Sequence, residues 1–396
     1  MPQKITKSVI NWLFGCFNEP FQCVEQRHIR VNDQLIYIPR QKRRAGKTLR
    51  VSGCTITVNH YDDSNESCCI RNDEKIIFCI DMISEIIPFF TMERENDRIR
   101  DVHGRVLFDE KYDQELIYPK LDLLIHFFKK SLSQYISLNY KPFPTVRSTH
   151  DVDRLGYAKF YQLLTNISSC RKHRSFAPII KSSLINPDDQ FKRILTWEND
   201  HNFESLWFIL PVYKCLQQAD YPLNYIYKKI KDKIIPSNIG WHISYMSSYD
   251  SDHLKNEYQK INNYWPVRDT RAHYLRGNMP DLFNELNNVG IKQDWSFGWA
   301  NHYGFRAGTG RPFHPIYKGR VLDIIEQPLI IMDSYITQPA ESLFLQYFDK
   351  LLILAHEIST SVTLNTHNNR FNEIKFSSLN WNIYHSINNF NNKKTI

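Results

Sequence analysis

The sequence predicts an α/β fold: a mainly parallel sheet, open or closed into a barrel, behind a smaller N-terminal α/β unit. Three observations carry that expectation. Beyond about residue 140, strand-like apolar runs alternate with helical periodicity, as successive β-then-α units require. Ser205-Leu206-Trp207-Phe208-Ile209-Leu210 is a continuous apolar run, which suits a strand covered on both faces. The chain of 396 residues also exceeds one average domain, so two are expected.

The elements follow in order. Lys4 and Lys7 precede Val9-Ile10-Asn11-Trp12-Leu13-Phe14, an echo of a signal peptide. Asn11 interrupts the apolar run and no small-x-small site follows, so an amphipathic helix packed on its own domain is expected. Short β-type runs come next at residues 34–38, 49–51 and 54–58. The basic cluster Arg40, Lys42, Arg43, Arg44 and Lys47 reads as a solvated loop. Residues 76–90 read as a strand passing into a helix, and a charge-dense segment runs from Glu93 to Arg105. After Pro119, Leu121, Leu124, Phe127, Phe128, Leu132, Tyr135 and Ile136 recur at helical spacing. Lys141-Pro142-Phe143-Pro144 stops that helix, because proline restricts both itself and its predecessor. The expected division is therefore an N-terminal α/β accessory unit over 1–140 and a (β/α) barrel over 141–396.

Within the second unit, residues 240–244 read as a short strand. A helix over 282–289 is closed by Gly290 at its C-cap, and Ile291 leads into the next strand. Residues 327–332 and 361–364 supply further strands, with a helix over 340–357 between them. The Asn/Lys-rich tail from Asn388 is expected to fray. In such sheets the site lies at the carboxyl ends of the strands.

The hydrophobic fraction of 42% and charged fraction of 23% are ordinary for a globular protein, and no run of eighteen apolar residues offers a membrane span. A net charge of +8 favours an acidic partner such as a nucleotide sugar, an anionic glycan or a membrane surface. The basic residues are dispersed and no nucleic-acid motif appears, so no nucleic-acid partner is expected. Eight cysteines, Cys68-Cys69 among them, form neither a disulfide framework nor zinc-type pairs; reduced thiols in a cytoplasmic protein are expected, with export the alternative. No coiled-coil heptads bear on the oligomeric state.

The chemistry starts at Ser148-Thr149-His150-Asp151-Val152-Asp153. A strand through this stretch turns Asp151 and Asp153 to one side and Val152 to the other. One carboxylate can then hold a divalent cation while its neighbour takes a proton from an activated water. The same pattern also serves as a helix N-cap, or as a metal-phosphate clamp in glycosyltransferases. In Gly304-Phe305-Arg306-Ala307-Gly308-Thr309, the glycines permit close backbone approach, and Arg306 between them could clamp a carboxylate or phosphate or rigidify the loop through a salt bridge. His356, on an apolar helix face, reads as a core histidine, and nothing in their spacing singles out His201, His302 or His314.

Seven segments occur in a recognisable order: Asp151-Val152-Asp153, the run to Leu210, Gly240-Trp241-His242-Ile243-Ser244-Tyr245, Arg271-Ala272-His273-Tyr274-Leu275-Arg276, Gly290-Ile291-Lys292-Gln293-Asp294, the Arg306 loop and Thr366-His367-Asn368. Over residues 140–375 the chain resembles the polysaccharide deacetylase family, also called NodB-homology or carbohydrate esterase 4, in a divergent branch with an extra N-terminal domain. The resemblance implies a distorted (β/α) barrel with one divalent metal at its mouth, zinc with cobalt or manganese as alternatives. It implies hydrolysis of the acetamide of an N-acetylated sugar or glycan precursor in surface polysaccharide metabolism. Asp151 would be the base, Asp153 and His242 metal ligands, and His367 the acid that protonates the leaving amine. Where a second histidine is usual this chain has Met246, so His273 is the substitute ligand, or else a stacking imidazole. Asp294 would orient the base, or else serve a turn. Arg271, Arg306 and Tyr245 would face the substrate. Two alternatives stand beside this: a non-catalytic carbohydrate-binding descendant of the fold, and a glycosyltransferase using Asp151 and Asp153.

Overall fold

The computed structural model describes residues 3–62, 68–72, 75–155, 187–212, 219–336, 340–371 and 378–394. The chain opens with the helix Gln3–Phe14, whose Ile5, Val9, Ile10, Leu13 and Phe14 are buried, the amphipathic face the sequence marked. Seven strands follow: β1 Phe21–Glu25, β2 His28–Val31, β3 Gln34–Tyr37, β4 Arg43–Val51, β5 Cys54–His60, β6 Cys69–Asn72 and β7 Lys75–Phe78. They form a five-stranded sheet in the order β1-β2-β3-β7-β6 and a separate β4-β5 hairpin. The basic cluster expected as a loop is largely strand: β4 starts at Arg43 and pairs antiparallel with β5, which leaves alternate basic side chains in water while Leu49 and Val51 turn inward. The segment 76–90 divides as expected into β7 and the helix Met82–Phe90, capped by Asp81 accepting from the Ser84 N–H.

The helix Lys120–Leu132 buries Leu121, Leu123, Leu124, Ile125, Phe128 and Leu132 and precedes the proline-rich stop. Beyond it come β8 Val146–Val152, β9 Ser205–Ile209, β10 Ile239–Ile243, β11 Asp269–Ala272, β12 Gln293–Asp294, β13 Ile316–Tyr317, β14 Arg320–Val321, β15 Ile325–Glu326, β16 Ile331–Met332 and β17 Val362–His367. Eight of them form one parallel sheet in the order β15-β12-β11-β10-β9-β8-β17-β16, curled into a partial barrel. Helices cover it: the helix Asp281–Val289 ends at Gly290, whose φ of +91° supplies the left-handed cap read from the sequence. The helix Glu341–Glu357 lies where periodicity put it. The strand expected over 327–332 is shorter, with only Ile331 and Met332 paired to β17.

Two expectations need correction. The tail is not frayed: the helix Leu379–Lys394 runs through it, because Leu379, Trp381, Ile383, Tyr384 and Ile387 bury one side. His356 is exposed, edge-on to the Phe390 ring, since the buried stripe of its helix passes through Leu351, Leu352, Leu354 and Ala355 instead. Six cysteines among the described residues are free thiols. No helix among the described residues is long and apolar enough to cross a membrane.

Candidate metal centre

Four strands end at one point. Asp151 and Asp153 come from the end of β8, His242 from β10, His273 from the residue after β11, and His367 closes β17. Parallel pairing in register makes this possible: β8 lies between β9 and β17, with Asp151 opposite His367, and β10 pairs with β11 so that His242 sits opposite Arg271. His242 Nε2 is 3.4 Å from Asp153 Oδ1, and His273 Nε2 is 3.5 Å from Asp153 Oδ2. One ligand atom from each of these three residues falls within 4.8 Å of the others.

The donor set fits a cation. A tetrahedral centre with bonds of roughly 2.0–2.1 Å separates its ligands by about 3.3 Å, near the spacing here. His242 Nδ1 lies 2.9 Å from the Arg271 carbonyl and donates to it, so Nε2 faces the cluster with a bare lone pair. Asp153 Oδ1 and His242 Nε2 are buried with no hydrogen-bond partner among the described residues. Burial opposes ionising Asp153, yet His273 and His242 hold its carboxyl well below the usual carboxylate range. Burial likewise opposes charge on His242, and Asp151 and Asp153 outweigh it and raise its pKa. Two carboxylates thus call for positive charge at a single point, and Asp153, His242 and His273 could hold a metal ion there.

Asp151 lies beside this triad, 3.7 Å from His242 Nε2. Both of its oxygens are fixed from behind: Arg271 Nη1 donates to Oδ1 at 3.1 Å and Asn365 Nδ2 to Oδ2 at 2.7 Å. Burial pushes its pKa up, and His242, Arg271 and His367 more than reverse that. Opposite stands His367, with Nε2 at 3.9 Å from Asp151 Oδ2. Its Nδ1 is 2.6 Å from Asp333 Oδ1, and Asp333 also accepts from the His367 backbone N–H at 2.9 Å. Burial would lower the imidazole pKa, but Asp333, Asp153 and Asp151 raise it to about 9. The mouth is a cleft of about 380 Å³ rimmed by Arg105, Arg154, Tyr274 and Arg370.

Of the remaining sequence-marked residues, none lines this mouth. Arg271 is fully buried behind Asp151, where it also donates to Thr149 Oγ1 at 2.7 Å, so its contact is with the carboxylate rather than a ligand. Asp294 does not touch Asp151; it accepts from Thr270 and Ser296 and shares a buried carboxyl contact with Glu326. Desolvation, then Asp294, drives the Glu326 pKa well above the carboxylate range. Tyr245 stands one layer out, under the Arg276 guanidinium at 3.9 Å. Arg306 is only 5% exposed; its Nε and Nη2 donate to the two Glu95 oxygens at 2.8 and 2.7 Å, and its Nη1 donates to the Gly298 carbonyl. The glycines beside it admit the chain itself: a Cβ on Gly304 would lie 2.7 Å from the Leu116 carbonyl oxygen. His201, His302 and His314 pack on Trp197, Phe108 and the Leu322 carbonyl, away from the mouth. Met246 is 56% exposed and lines no part of it.

The sequence reading missed Asp333 and Asn365. Asp333 closes an apolar run, Leu329 to Met332, as Asp151 closes β8, and Asn365 lies two residues before His367 on the same strand face. Both signals were present without any motif to single them out.

No family model matches the chain, and no curated protein is similar to it in sequence. Among solved structures, one from Mycobacterium smegmatis, of a protein provisionally assigned as a polysaccharide deacetylase, is similar over 62% of this chain and 83% of its own, with 12% identity and a TM-score of 0.41. That likeness is too distant to assign a function.

Proposed function

We propose that the protein is a metal-dependent hydrolase that removes the acetyl group from an N-acetylated sugar or glycan precursor. The observation that carries the reading is the gathering of Asp151 and His367 beside the Asp153, His242 and His273 triad, each backed by its own buried partner. The acetylated sugar comes from the order of the sequence motifs, and the resemblance also suggests a role in surface polysaccharide metabolism.

Asp153, His242 and His273 would hold a zinc, cobalt or manganese ion, which would supply Lewis acidity toward a water and an acyl oxygen. Asp151 accepts the proton of the attacking water; Arg271 and Asn365 fix its two oxygens, so the free lone pair stays aimed at the mouth. His367 donates from Nε2 to the departing amine nitrogen, while Asp333 on Nδ1 fixes ring orientation and tautomer. Asp151 and His367 would thus serve one reacting bond as base and acid, the pairing amide hydrolysis needs. The non-catalytic alternative took its motive from Met246, and His273 in the third ligand position supports the hydrolytic reading over it.

The test is elemental analysis of wild type beside Asp153→Ala and His273→Ala, followed by acetate release from a chitooligosaccharide and a nucleotide-linked N-acetylglucosamine. Near-stoichiometric metal, lost in both variants, with acetate released only by wild type is expected. A wild type that takes up none of Zn²⁺, Co²⁺ and Mn²⁺ would refute the proposal.

A further inference from the structure

The first 140 residues carry a second cleft, of about 600 Å³, that the mouth chemistry does not use. It lies between the end of β5 at Asn59 and His60, one side of the helix Met82–Phe90, Arg43, the turn at Glu93 and Arg94, and Lys120. Two carboxylates around it are engaged within the protein. Glu85 Oε1 accepts from the Asn59 and His60 backbone N–H groups at 2.6 and 2.7 Å and meets His60 Nδ1 at 2.9 Å. Glu115, behind Lys120, accepts from its Nζ at 2.6 Å and from the Thr57 N–H at 3.3 Å.

Arg94 is the exception. Its guanidinium carbon sits 4.3 Å from the centroid of the Phe89 ring, and no acceptor among the described residues meets its N–H groups. Stacking fixes the plane of the fork and leaves its edge open to the cleft. Arg43, exposed on the other lining strand, likewise has no carboxylate within ion-pair distance among the described residues. Pro88, in the helix that forms one wall, has no N–H, so the Ser84 carbonyl lacks its ordinary helical donor. The Asn59 side-chain amide is also without a partner among the described residues.

A half-buried guanidinium that no carboxylate among the described residues meets is short of an acceptor, and its parallel N–H groups match two oxygens of one oxyanion. We propose that this cleft binds a small hydroxylated ligand bearing a carboxylate, phosphate or sulfate, with the oxyanion on Arg94, Arg43 facing it, and hydroxyls on the Ser84 carbonyl and Asn59. Its volume suits one or two sugar rings. The site is separate from the mouth and does not depend on the hydrolytic reading.

Isothermal titration of the full chain at low ionic strength tests this, with glucuronate, glucose 6-phosphate, inorganic phosphate and sulfate as probes and glucose as the neutral control. At least one anion should bind saturably, more weakly as salt rises, and the arms separate carboxylate, phosphate and sulfate. Arg94→Gln should weaken that binding about 10-fold or more, since a charge-assisted pair is removed. Arg94→Lys should recover only part of it, and Asp153→Ala should bind as wild type does. Should Arg94→Gln not fold, Arg43→Gln carries the same test with a loss of about 3-fold. Absence of saturable binding by every anion overturns the proposal. So does binding that survives the arginine substitutions, or a wild type that fails to bind while Glu93→Gln binds, which would make Glu93 the natural partner of Arg94.

Discussion

Asp122 and Asp153 are two carboxylates set into the same molecule, and their surroundings could hardly differ more. Asp122, with no exposed surface, is fully supplied: Thr309 Oγ1, the Gly310 N–H, Arg311 Nε and Thr360 Oγ1 donate to it at 2.7 to 3.1 Å. It fastens the helix Lys120–Leu132 to the loop before β13 and to the residues before β17. Asp153 has two imidazoles beyond ordinary hydrogen-bond range and a buried oxygen with no partner. Burying a carboxylate costs several kcal/mol unless partners repay it. Counted in hydrogen bonds, Asp122 is fully supplied while a buried oxygen of Asp153 has no partner among the described residues and only the imidazoles keep that carboxyl ionised, so the first reads as a structural tie and the second as a ligand site.

The sharpest way to break this comparison is to remove each carboxylate and measure two quantities. Asp153→Ala should abolish stoichiometric metal binding, checked by elemental analysis after dialysis; retained metal would move the site elsewhere. Among hydrolytic variants, Asp151→Asn should lower acetate release by roughly 10²–10⁴-fold with the metal still bound, as expected for loss of a general base. Turnover near wild type in that variant would leave Asp151 without the proposed role. Asp122→Ala should leave metal content intact and destabilise the fold by about 3–5 kcal/mol, because Arg311 is left buried and unpaired. Urea denaturation reads that loss, and an unchanged midpoint would show that the tie matters little.

The two regions were not equally legible. Ser205 to Leu210 announced its strand because a sheet covered on both faces needs unbroken apolar residues. The strand that carries the chemistry, β8, was legible from the Asp151 and Asp153 spacing but not from hydropathy: Ser148, Thr149, His150 and Asp151 are all buried, which hydropathy alone argues against. Each is matched individually, Thr149 Oγ1 donating to the Leu364 carbonyl at 2.6 Å and His150 lying between Glu198 at 2.9 Å and Thr366 at 2.8 Å. Pairwise satisfaction of that kind depends on residues some 50 and 200 positions away, and no local pattern encodes it. For the same reason the sequence left Arg306 between a ligand clamp and a salt bridge. The salt-bridge partner, Glu95, lies 211 residues earlier, in a segment read only as charge-dense.

Asp333 refines the comparison, because it is a saturated carboxylate within the mouth. It accepts from the His367 N–H, His367 Nδ1 and Asn380 Nδ2, at 2.6 to 2.9 Å. Asp333→Asn keeps the shape but loses the charge that orients and supports the His367 proton, so turnover should fall by about 10–100-fold with metal content unchanged, a cost typical of supporting partners. A loss as large as that of Asp151→Asn would mean that Asp333 itself meets the substrate.

The smallest effect is the most discriminating. Asp153→Asn, studied without metal, removes a carboxylate whose buried oxygen meets no hydrogen-bond donor among the described residues, and leaves an amide of the same shape. Its unfolding midpoint in urea should stay within about 1 kcal/mol of the metal-free wild type or rise above it, the opposite of Asp122→Ala. Adding Zn²⁺ should then stabilise the wild type by RT ln(1 + [Zn²⁺]/Kd), about 2.7 kcal/mol at a hundredfold excess over Kd, and leave Asp153→Asn nearly where it was. If Asp153→Asn instead collapsed the fold without metal, Asp153 would belong with Asp122 as a structural tie, and the metal triad would lose its principal argument.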